Sequence, residues 1–290
     1  MLEESLPTAD ARESHDPAFA IEFTGIDTHA HVFRQDMPMI AGRRYTPTYD
    51  APLSNYLEML DAHGLSHAVL TPVSIFGTDN TYLLWALQQE PLRLRGLVAV
   101  LPTIGQAELD AYDRMGVVGV RQNLIGLPDP DFSDPVWQRY LERLATLGWQ
   151  IELQVEAARL SRVIPPLLAC GVNVVIDHFG RPDAGYGVTD PGFRYLLTCG
   201  RTRRIWVKLS GAYRNSGEAG EHIAPEATGM LLGEFGSDRL MWGSDWPHTC
   251  FESPDAMRRA RAALDDWVGS ESDRIAVMID TPRRLFFDKF

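Results

Sequence analysis

The sequence predicts a single α/β domain, a (β/α)8 TIM barrel that ends in an extra C-terminal helix. Eight apolar, strand-like segments alternate with eight helix-like segments whose apolar residues recur every three or four positions. Strict alternation of strands and helices favours a parallel sheet covered by helices. The 290 residues also exceed the roughly 250 that eight such units need. Neither the GxGxxG turn of dinucleotide-binding folds nor a Walker A loop is present.

The predicted strands and helices alternate along the chain, and residues typical of helix caps mark where many of the helices begin and end. The strand-like segments are, in order, IEFTGIDTHAHVF, SHAVLTPV, LRGLVAVLP, VVGVRQNL, WQIELQV, VNVVIDHFG, RIWVKLSG and RLMWGSD. The helix-like segments are PLSNYLEMLDAHG, TDNTYLLWALQQE, QAELDAYDRMG, SDPVWQRYLERLATLG, ARLSRVIPPLLACG, PGFRYLLTCG, EATGMLLGEFG and PDAMRRARAALDDW, and SDRIAVMIDTPRRLFF closes the chain. Several helices start at Ser, Thr or Asp and several end at Gly, as helix caps do.

Composition narrows the class of protein. The formal net charge of −12 argues against nucleic acid and anionic membranes as partners, and no apolar run approaches the roughly 18 residues of a membrane-spanning helix. The three cysteines lack disulfide-framework or CxxC spacing, which indicates a reduced, cytoplasmic protein. We expect residues 1–20, which are acidic and lack signal-peptide features, to form a flexible extension before a barrel over 21–290. The oligomeric state is not predicted.

Polar side chains collect where the predicted strands end, which in a barrel of this type is where active sites lie. His29 and His31 are two residues apart on the first strand, so they share a face and point into the barrel mouth. Convergence of several titratable and cationic side chains at the same end of independent strands indicates a functional site. The further candidates are Arg121, Gln154, Asp177, His178, Arg181, Lys208, Arg214, Asp245 and His248.

Each candidate also has a structural interpretation. Asp245 follows Gly-Ser and could cap the next helix. Arg121 could pair with a carboxylate, and Lys208 could form an ion pair inside the barrel. Asp177 precedes His178 on the same predicted strand, so we expect the two side chains to point to opposite faces.

The motif DTHAH on the first strand, a histidine on a later strand and an aspartate on the eighth resemble the amidohydrolase superfamily. Over nearly the whole chain, the sequence more narrowly resembles the 2-pyrone-4,6-dicarboxylate lactonase group, whose members open lactones in aromatic compound catabolism. The motifs that carry this resemblance are HAHVF, RRYTP, FGTDN, GVRQN, VIDHFGRPD, VKLSGAYR and LMWGSDWPH.

The resemblance implies a hydrolase that opens a small anionic lactone. Asp245 would act as the general base on water, and His29, His31 and His178 would polarise the ester carbonyl as hydrogen-bond donors. Guanidinium groups match carboxylate geometry, so the arginines are the natural anion clamps. The expected substrate-binding residues are Tyr45, Ser74, Thr78, Arg121, Gln154, Arg181, Arg214 and His248.

Some positions depart from the group. The lactonases carry another arginine after the fourth strand and a tyrosine on the fifth, whereas QNLIGLPDPDFSDPVWQ has no arginine and position 154 is Gln. The exact lactone therefore stays open between 2-pyrone-4,6-dicarboxylate, a monocarboxylated or sulfonated muconolactone, and a sugar-acid lactone.

The resemblance also bears on metal binding. Superfamily members that hold a divalent ion add a carboxylated Lys or a Glu on the fourth strand, where this chain has Arg121 and Asn123. We therefore expect no required cofactor. Two alternatives stay open: a zinc-dependent hydrolase or decarboxylase, with zinc on His29, His31 and Asp245 and also His178 in reach, and a non-catalytic barrel that binds a small anion.

Overall fold

The computed structural model describes residues 21–288. Its strands form one parallel sheet in the order of the sequence, β1 to β8. The sheet closes on itself because the backbone N–H of Asp245 donates to the carbonyl of His29 at 2.8 Å, and the N–H of His31 donates to the carbonyl of Trp246 at 2.8 Å. The predicted barrel is confirmed. The strands are β1 Ile26–Ala30, β2 His67–Leu70, β3 Leu94–Val98, β4 Val117–Asn123, β5 Gln150–Gln154, β6 Asn173–Ile176, β7 Ile205–Ser210 and β8 Leu240–Gly243.

Helices connect successive strands on the outside of the barrel. The helices are α1 Leu53–Ala62, α2 Thr81–Gln89, α3 Gln106–Arg114, α4 Pro135–Thr146, α5 Leu160–Ala169, α6 Pro191–Thr198, α7 Glu218–Phe235, α8 Ala256–Trp267, α9 Glu271–Ile275 and α10 Thr281–Phe286. Helix α7 starts well before the predicted segment because Pro225 lies inside the helix rather than ahead of it.

The C-terminal helix is interrupted, in contrast to the single segment predicted. Between α9 and α10 the chain forms a π-helical turn over Ala276–Asp280. Pro282 stands in the first turn of α10, where its missing N–H costs nothing. In a continuous helix the same proline would remove an interior hydrogen bond, so the break follows from the sequence.

The lower end of the barrel is apolar and the upper end is polar. Side chains from seven of the strands form a buried layer that α10 and the residue after it cover from below. This layer consists of Ile26, Val69, Leu97, Val118, Val175, Trp206 and Met241, with Leu285, Phe286 and Phe287. Apolar side chains fill the lower end of the barrel, and polar side chains at the C-terminal strand ends line its mouth.

Three expectations from sequence concern the N-terminal extension, membrane-spanning helices and the cysteines. The predicted flexible extension covers residues 1–20, which lie outside the described residues. Within 21–288, no helix is both long enough and apolar enough to cross a lipid bilayer. All three cysteines are free thiols.

Candidate active site

Two histidines of β1 and the aspartate after β8 meet at the barrel mouth. Nε2 of His29 and Nε2 of His31 each lie 3.7 Å from Oδ1 of Asp245. Both His29 and Asp245 are fully buried, at 0% exposure. The approach depends on Gly243, because a Cβ there would come within 2.6 Å of the Cβ of His29.

Asp27 fixes the seam between β1 and β8 below this cluster. Its Oδ1 accepts hydrogen bonds from the backbone N–H groups of His29 at 3.1 Å and Ser244 at 2.8 Å. Its Oδ2 accepts from the hydroxyls of Ser244 and Tyr56. Asp27 thus holds the backbone of His29 rather than its ring, and it sets the distance between the first and last strands.

The expectation that Asp177 and His178 face opposite ways is wrong. Strand β6 ends at Ile176, and His178 has a left-handed φ of 52°, so strand alternation no longer applies. Both side chains turn toward His29: Oδ1 of Asp177 lies 3.3 Å from its Nδ1, and the rings of His29 and His178 are 4.8 Å apart.

A network of buried charges supports the cluster from inside the barrel. Lys208 pairs with Glu152 and lies 3.2 Å from Nδ1 of His29, so the ion-pair interpretation of Lys208 holds. Burial and the neighbouring charge of Asp177 raise the pKa of Glu152 to about 7. Burial opposes the ionisation of Asp177, but His29, Arg121 and Lys208 outweigh it and hold its pKa well below the usual range.

Arg121 is largely committed to this network. Its Nη2 donates to Oε1 of Gln154 at 2.9 Å and to Oδ2 of Asp177 at 3.0 Å, and its Nη1 donates to the carbonyl of Pro72 at 3.1 Å. Its Nε lies 3.2 Å from Oε1 of Glu152. The guanidinium therefore has little donor capacity left for a substrate, although the side chain borders the pocket above.

The two oxygens of Asp245 have different surroundings. Oδ2 accepts from Nε of Arg214 at 2.6 Å and from the hydroxyl of Tyr213 at 2.7 Å. Oδ1 has no hydrogen-bond partner among the described residues. Burial alone would raise the pKa of Asp245, but the charge of Arg214 outweighs burial and the pKa lies well below the usual range. Asp245 is therefore a carboxylate at neutral pH, and its Oδ1 is available to accept a hydrogen bond or a proton.

The histidines of the cluster are neutral at the same pH. Burial lowers the pKa of His29 well below its ordinary value and lowers that of His31 as well. Burial also brings the pKa of His178 to about 4. The rings therefore act as neutral donors or acceptors, and which of the two depends on the tautomer.

A pocket of about 140 Å³ opens above the cluster. Apart from Asp245, every permanently charged side chain on its wall is an arginine. Of the predicted site residues, the pocket brings together His31, Tyr45, Ser74, Arg121, Gln154, His178, Arg181, Arg214 and Asp245. His29 lies beneath the floor, and neither Thr78 nor His248 is on the pocket wall.

Four polar wall residues were not on the predicted list. Arg44, Asn123, Thr249 and Cys250 all border the pocket. Arg44 precedes Tyr45 in the RRYTP motif, so the signal for it was present in the sequence. Thr249 accepts hydrogen bonds from Arg214 at 3.1 and 3.2 Å, a contact made by a loop that strand-end reasoning does not reach.

The donor set at the mouth is compatible with a divalent metal. Ligand atoms of His29, His31 and Asp245 all lie within 4.8 Å of one another. Nε2 of His29 and Oδ1 of Asp245 are buried without hydrogen-bond partners in the part of the chain described. Two imidazoles and a carboxylate are ligands that zinc accepts in an open catalytic site. These three residues would hold the ion.

The closed parallel barrel and the cluster at its C-terminal mouth together define an enzyme of the (β/α)8-barrel class. The chain belongs to the amidohydrolase family, whose model matches residues 26–287. This confirms the resemblance read from DTHAH and the strand-end residues.

Individual relatives narrow the resemblance further. The chain is 32% identical over 246 residues to a 2-pyrone-4,6-dicarboxylate hydrolase of Comamonas testosteroni, covering 80% of this chain and 79% of the relative. It is 30% identical over 283 residues to a 4-sulfomuconolactone hydrolase of Rhizobium radiobacter, covering 93% and 92%. A solved structure from Acinetobacter baumannii, described as a probable 2-pyrone-4,6-dicarboxylic acid hydrolase with citric acid bound, superposes with a TM-score of 0.87 at 37% identity, covering 90% of this chain and 98% of that one.

Proposed function

We propose that the protein hydrolyses the ring ester of a small lactone that carries one or more carboxylates, with 2-pyrone-4,6-dicarboxylate as the first candidate. One observation carries the proposal: a buried, ionised carboxylate with an unpartnered Oδ1 borders a pocket whose other permanent charges are all arginine. The names of the relatives support a lactone substrate, and the citrate in the Acinetobacter structure supports a polycarboxylate.

Asp245 acts as the general base. Its free Oδ1 accepts a proton from a water molecule as the water oxygen forms a bond to the lactone carbonyl carbon. The ring C–O bond then breaks, and the released oxygen takes up the proton that Asp245 accepted, which leaves a ring-opened acid and restores the carboxylate. Arg214 and Tyr213 hold Oδ2, so the proton is taken by the oxygen that the cluster of histidines surrounds.

The histidines divide their roles by tautomer. Nδ1 of His31 lies 2.8 Å from the carbonyl of Thr71, which only accepts, so the neutral ring carries its proton there and Nε2 is an acceptor. Nδ1 of His29 lies 3.2 Å from the ammonium of Lys208 and 3.3 Å from Oδ1 of Asp177, and Nδ1 of His178 lies 3.0 Å from the hydroxyl and 3.2 Å from the carbonyl of Ser210. Each of these nitrogens therefore has a donor and an acceptor in reach, so both tautomers are available to the two rings. In the tautomer in which Nδ1 accepts from Lys208 or from the hydroxyl of Ser210, each ring presents a protonated Nε2 to the developing oxyanion. His31 differs here from the three-donor arrangement expected from sequence.

No metal is required in this proposal. If a divalent ion were bound, His29, His31 and Asp245 would hold it, and it would lower the pKa of a bound water and polarise the carbonyl. We expect protein purified without added metal to contain well below one zinc or manganese per chain and to keep its activity after chelation. Activity that is lost on chelation and restored by zinc would establish the metal-dependent alternative.

The decisive experiment is lactone hydrolysis by Asp245→Asn, followed by pH-stat with carboxylated lactones. The amide keeps the size of the side chain but cannot take the proton, so kcat should fall by about 10²–10⁴-fold. Asp266→Asn makes the same chemical change at an exposed position of α8 and should leave kcat unchanged. A folded Asp245→Asn enzyme with wild-type turnover would refute the general-base role.

A further inference from the structure

The segment after β7 contacts the segment after β8 through Tyr213 and His248. From sequence, His248 was expected to bind substrate. Tyr213 lies between Asp245 and His248, with its hydroxyl 2.7 Å from Oδ2 of the aspartate and 2.9 Å from Nδ1 of the histidine. We propose that Tyr213 and His248 form a positioning pair that fixes the carboxylate of Asp245, and that His248 acts through Tyr213 and not on the substrate. The inference rests on the proposed function of Asp245.

The direction of both hydrogen bonds follows from the chemistry of the three groups. An ionised carboxylate only accepts, so the single hydroxyl proton of Tyr213 is donated to Asp245. A tyrosine hydroxyl keeps its proton at neutral pH. The tyrosine oxygen can then only accept from His248, whose Nδ1 must carry the hydrogen.

This direction leaves His248 without a donor for a substrate anion. A neutral imidazole has one N–H, and Tyr213 already receives that of His248. Its Nε2 is a buried acceptor with no hydrogen-bond partner in the described part of the chain. The side chain is 3% exposed and borders a neighbouring cavity with Trp246 and Glu252 instead of the substrate pocket.

Two donors on one oxygen fix a carboxylate better than one. Arg214 alone would hold Oδ2 but would let the plane of the carboxylate turn about that contact. Tyr213 supplies a second direction, so Oδ1 stays aimed at the cluster of histidines. Gly211 leaves room for this contact, because it has a φ of +49° and a Cβ there would come within 2.8 Å of Oδ2 of Asp245.

Substitution of His248 separates the two possible uses of its ring. The amide of asparagine occupies nearly the place of Nδ1, whereas that of glutamine reaches the place of Nε2. His248→Asn should therefore keep most of the kcat for carboxylated lactones, and His248→Gln and His248→Ala should lose it by about tenfold, all with KM nearly unchanged. If glutamine preserves activity and asparagine raises KM, His248 binds substrate and the inference is wrong.

A double-mutant cycle tests whether His248 acts through Tyr213. Tyr213→Phe removes a hydrogen bond to a charged group, so kcat should fall by about 10- to 100-fold. In the Tyr213→Phe background, His248→Gln should cause no further loss, because the oxygen that it acts on is gone. Independent, additive losses would overturn the pairing.

One readout does not depend on turnover. Nitrogen-15 NMR of the wild-type enzyme should show His248 as the neutral tautomer protonated at Nδ1, and Tyr213→Phe should shift that resonance. A wild-type ring protonated at Nε2 would refute the inference even if lactone hydrolysis is confirmed. Conversely, an Nδ1-protonated ring in an enzyme that opens no carboxylated lactone would contradict the proposed function and leave the contact intact.

Discussion

At the scale of single residues, two of the pocket arginines differ in how their charge is compensated. Arg121 uses its guanidinium to neutralise two buried carboxylates, Glu152 and Asp177. Arg181 instead has a buried Nε with no hydrogen-bond partner among residues 21–288. Burial and the nearby charge of Arg214 lower the pKa of Arg181, which indicates positive charge that the protein itself does not compensate. An anionic substrate would supply that compensation.

We expect Arg181→Met to raise KM for a dicarboxylated lactone by about 10- to 100-fold, the usual worth of a charge-assisted hydrogen bond. Because Nε has no partner to lose, the melting temperature should change little. Arg258→Met removes an exposed arginine of α8 as a matched control and should change neither value. An unchanged KM in folded Arg181→Met would rule out this residue as an anion clamp.

Arg121→Met, unlike Arg181→Met, should lower the stability of the protein. It leaves Glu152 and Asp177 buried with only Lys208 nearby to offset their charge. Removing one partner of a buried ion pair typically costs about 3–5 kcal/mol, so the free energy of unfolding in urea should fall by that order. A variant as stable as the wild type, with only KM affected, would return Arg121 to the role of substrate clamp.

At the scale of elements, the seam between β1 and β8 places the reactive groups. Asp27→Asn keeps the shape of the side chain but sets an NH₂ group against hydroxyl or N–H donors from Ser244, Tyr56 and His29. Each buried polar group left unsatisfied costs about 1–3 kcal/mol, so we expect a loss of that size in urea unfolding. Tyr56→Phe, which removes one donor without adding a clash, should cost less. Equal stability of Asp27→Asn and wild type would show that the seam does not depend on this carboxylate.

Element ends also show where prediction from sequence stops. The order of strands and the inward direction of His29 and His31 follow from periodicity, which sequence displays directly. The turn of His178 toward His29 does not, because it depends on where β6 ends and on a left-handed residue after it. Arg44 reaches the pocket from the long loop between β1 and α1: the RRYTP motif marks this segment, but strand periodicity does not show which of its side chains enters the pocket. His248 was predicted from its position after β8, but the direction of its hydrogen bond required the position of Tyr213.

At the scale of the whole molecule, buried histidines couple protonation to folding. Burial lowers the pKa of His67, His178 and His248 to about 4. In the unfolded chain a histidine has a pKa near 6.5. Between these two values the three histidines bind more protons in the unfolded state than in the folded state, whereas Glu152, with its pKa raised to about 7, binds one more proton in the folded state and offsets one histidine. The net free energy of unfolding should therefore fall as the pH falls from about 6.5 to about 4. Asp177 and Asp245 have lowered pKa values, so their contribution is lost only below about 3.8.

His67 allows this linkage to be tested away from the active site, because it lies in β2 and its ring stacks on Phe23 at 3.9 Å. Glutamine cannot take up a proton in this range. His67→Gln should therefore reduce the slope of unfolding free energy against pH by up to about 1.4 kcal/mol per pH unit between pH 6.5 and 4, the value for one proton. A change in the stability of the variant at pH 7 does not affect this test, because only the slope of unfolding free energy against pH depends on proton uptake by His67. The measurement is a series of urea melts across that range, with Phe23→Leu as a control that loosens the same contact and keeps the titrating ring. If His67→Gln and the wild type give parallel curves, His67 does not hold its folded-state pKa below that of the unfolded chain.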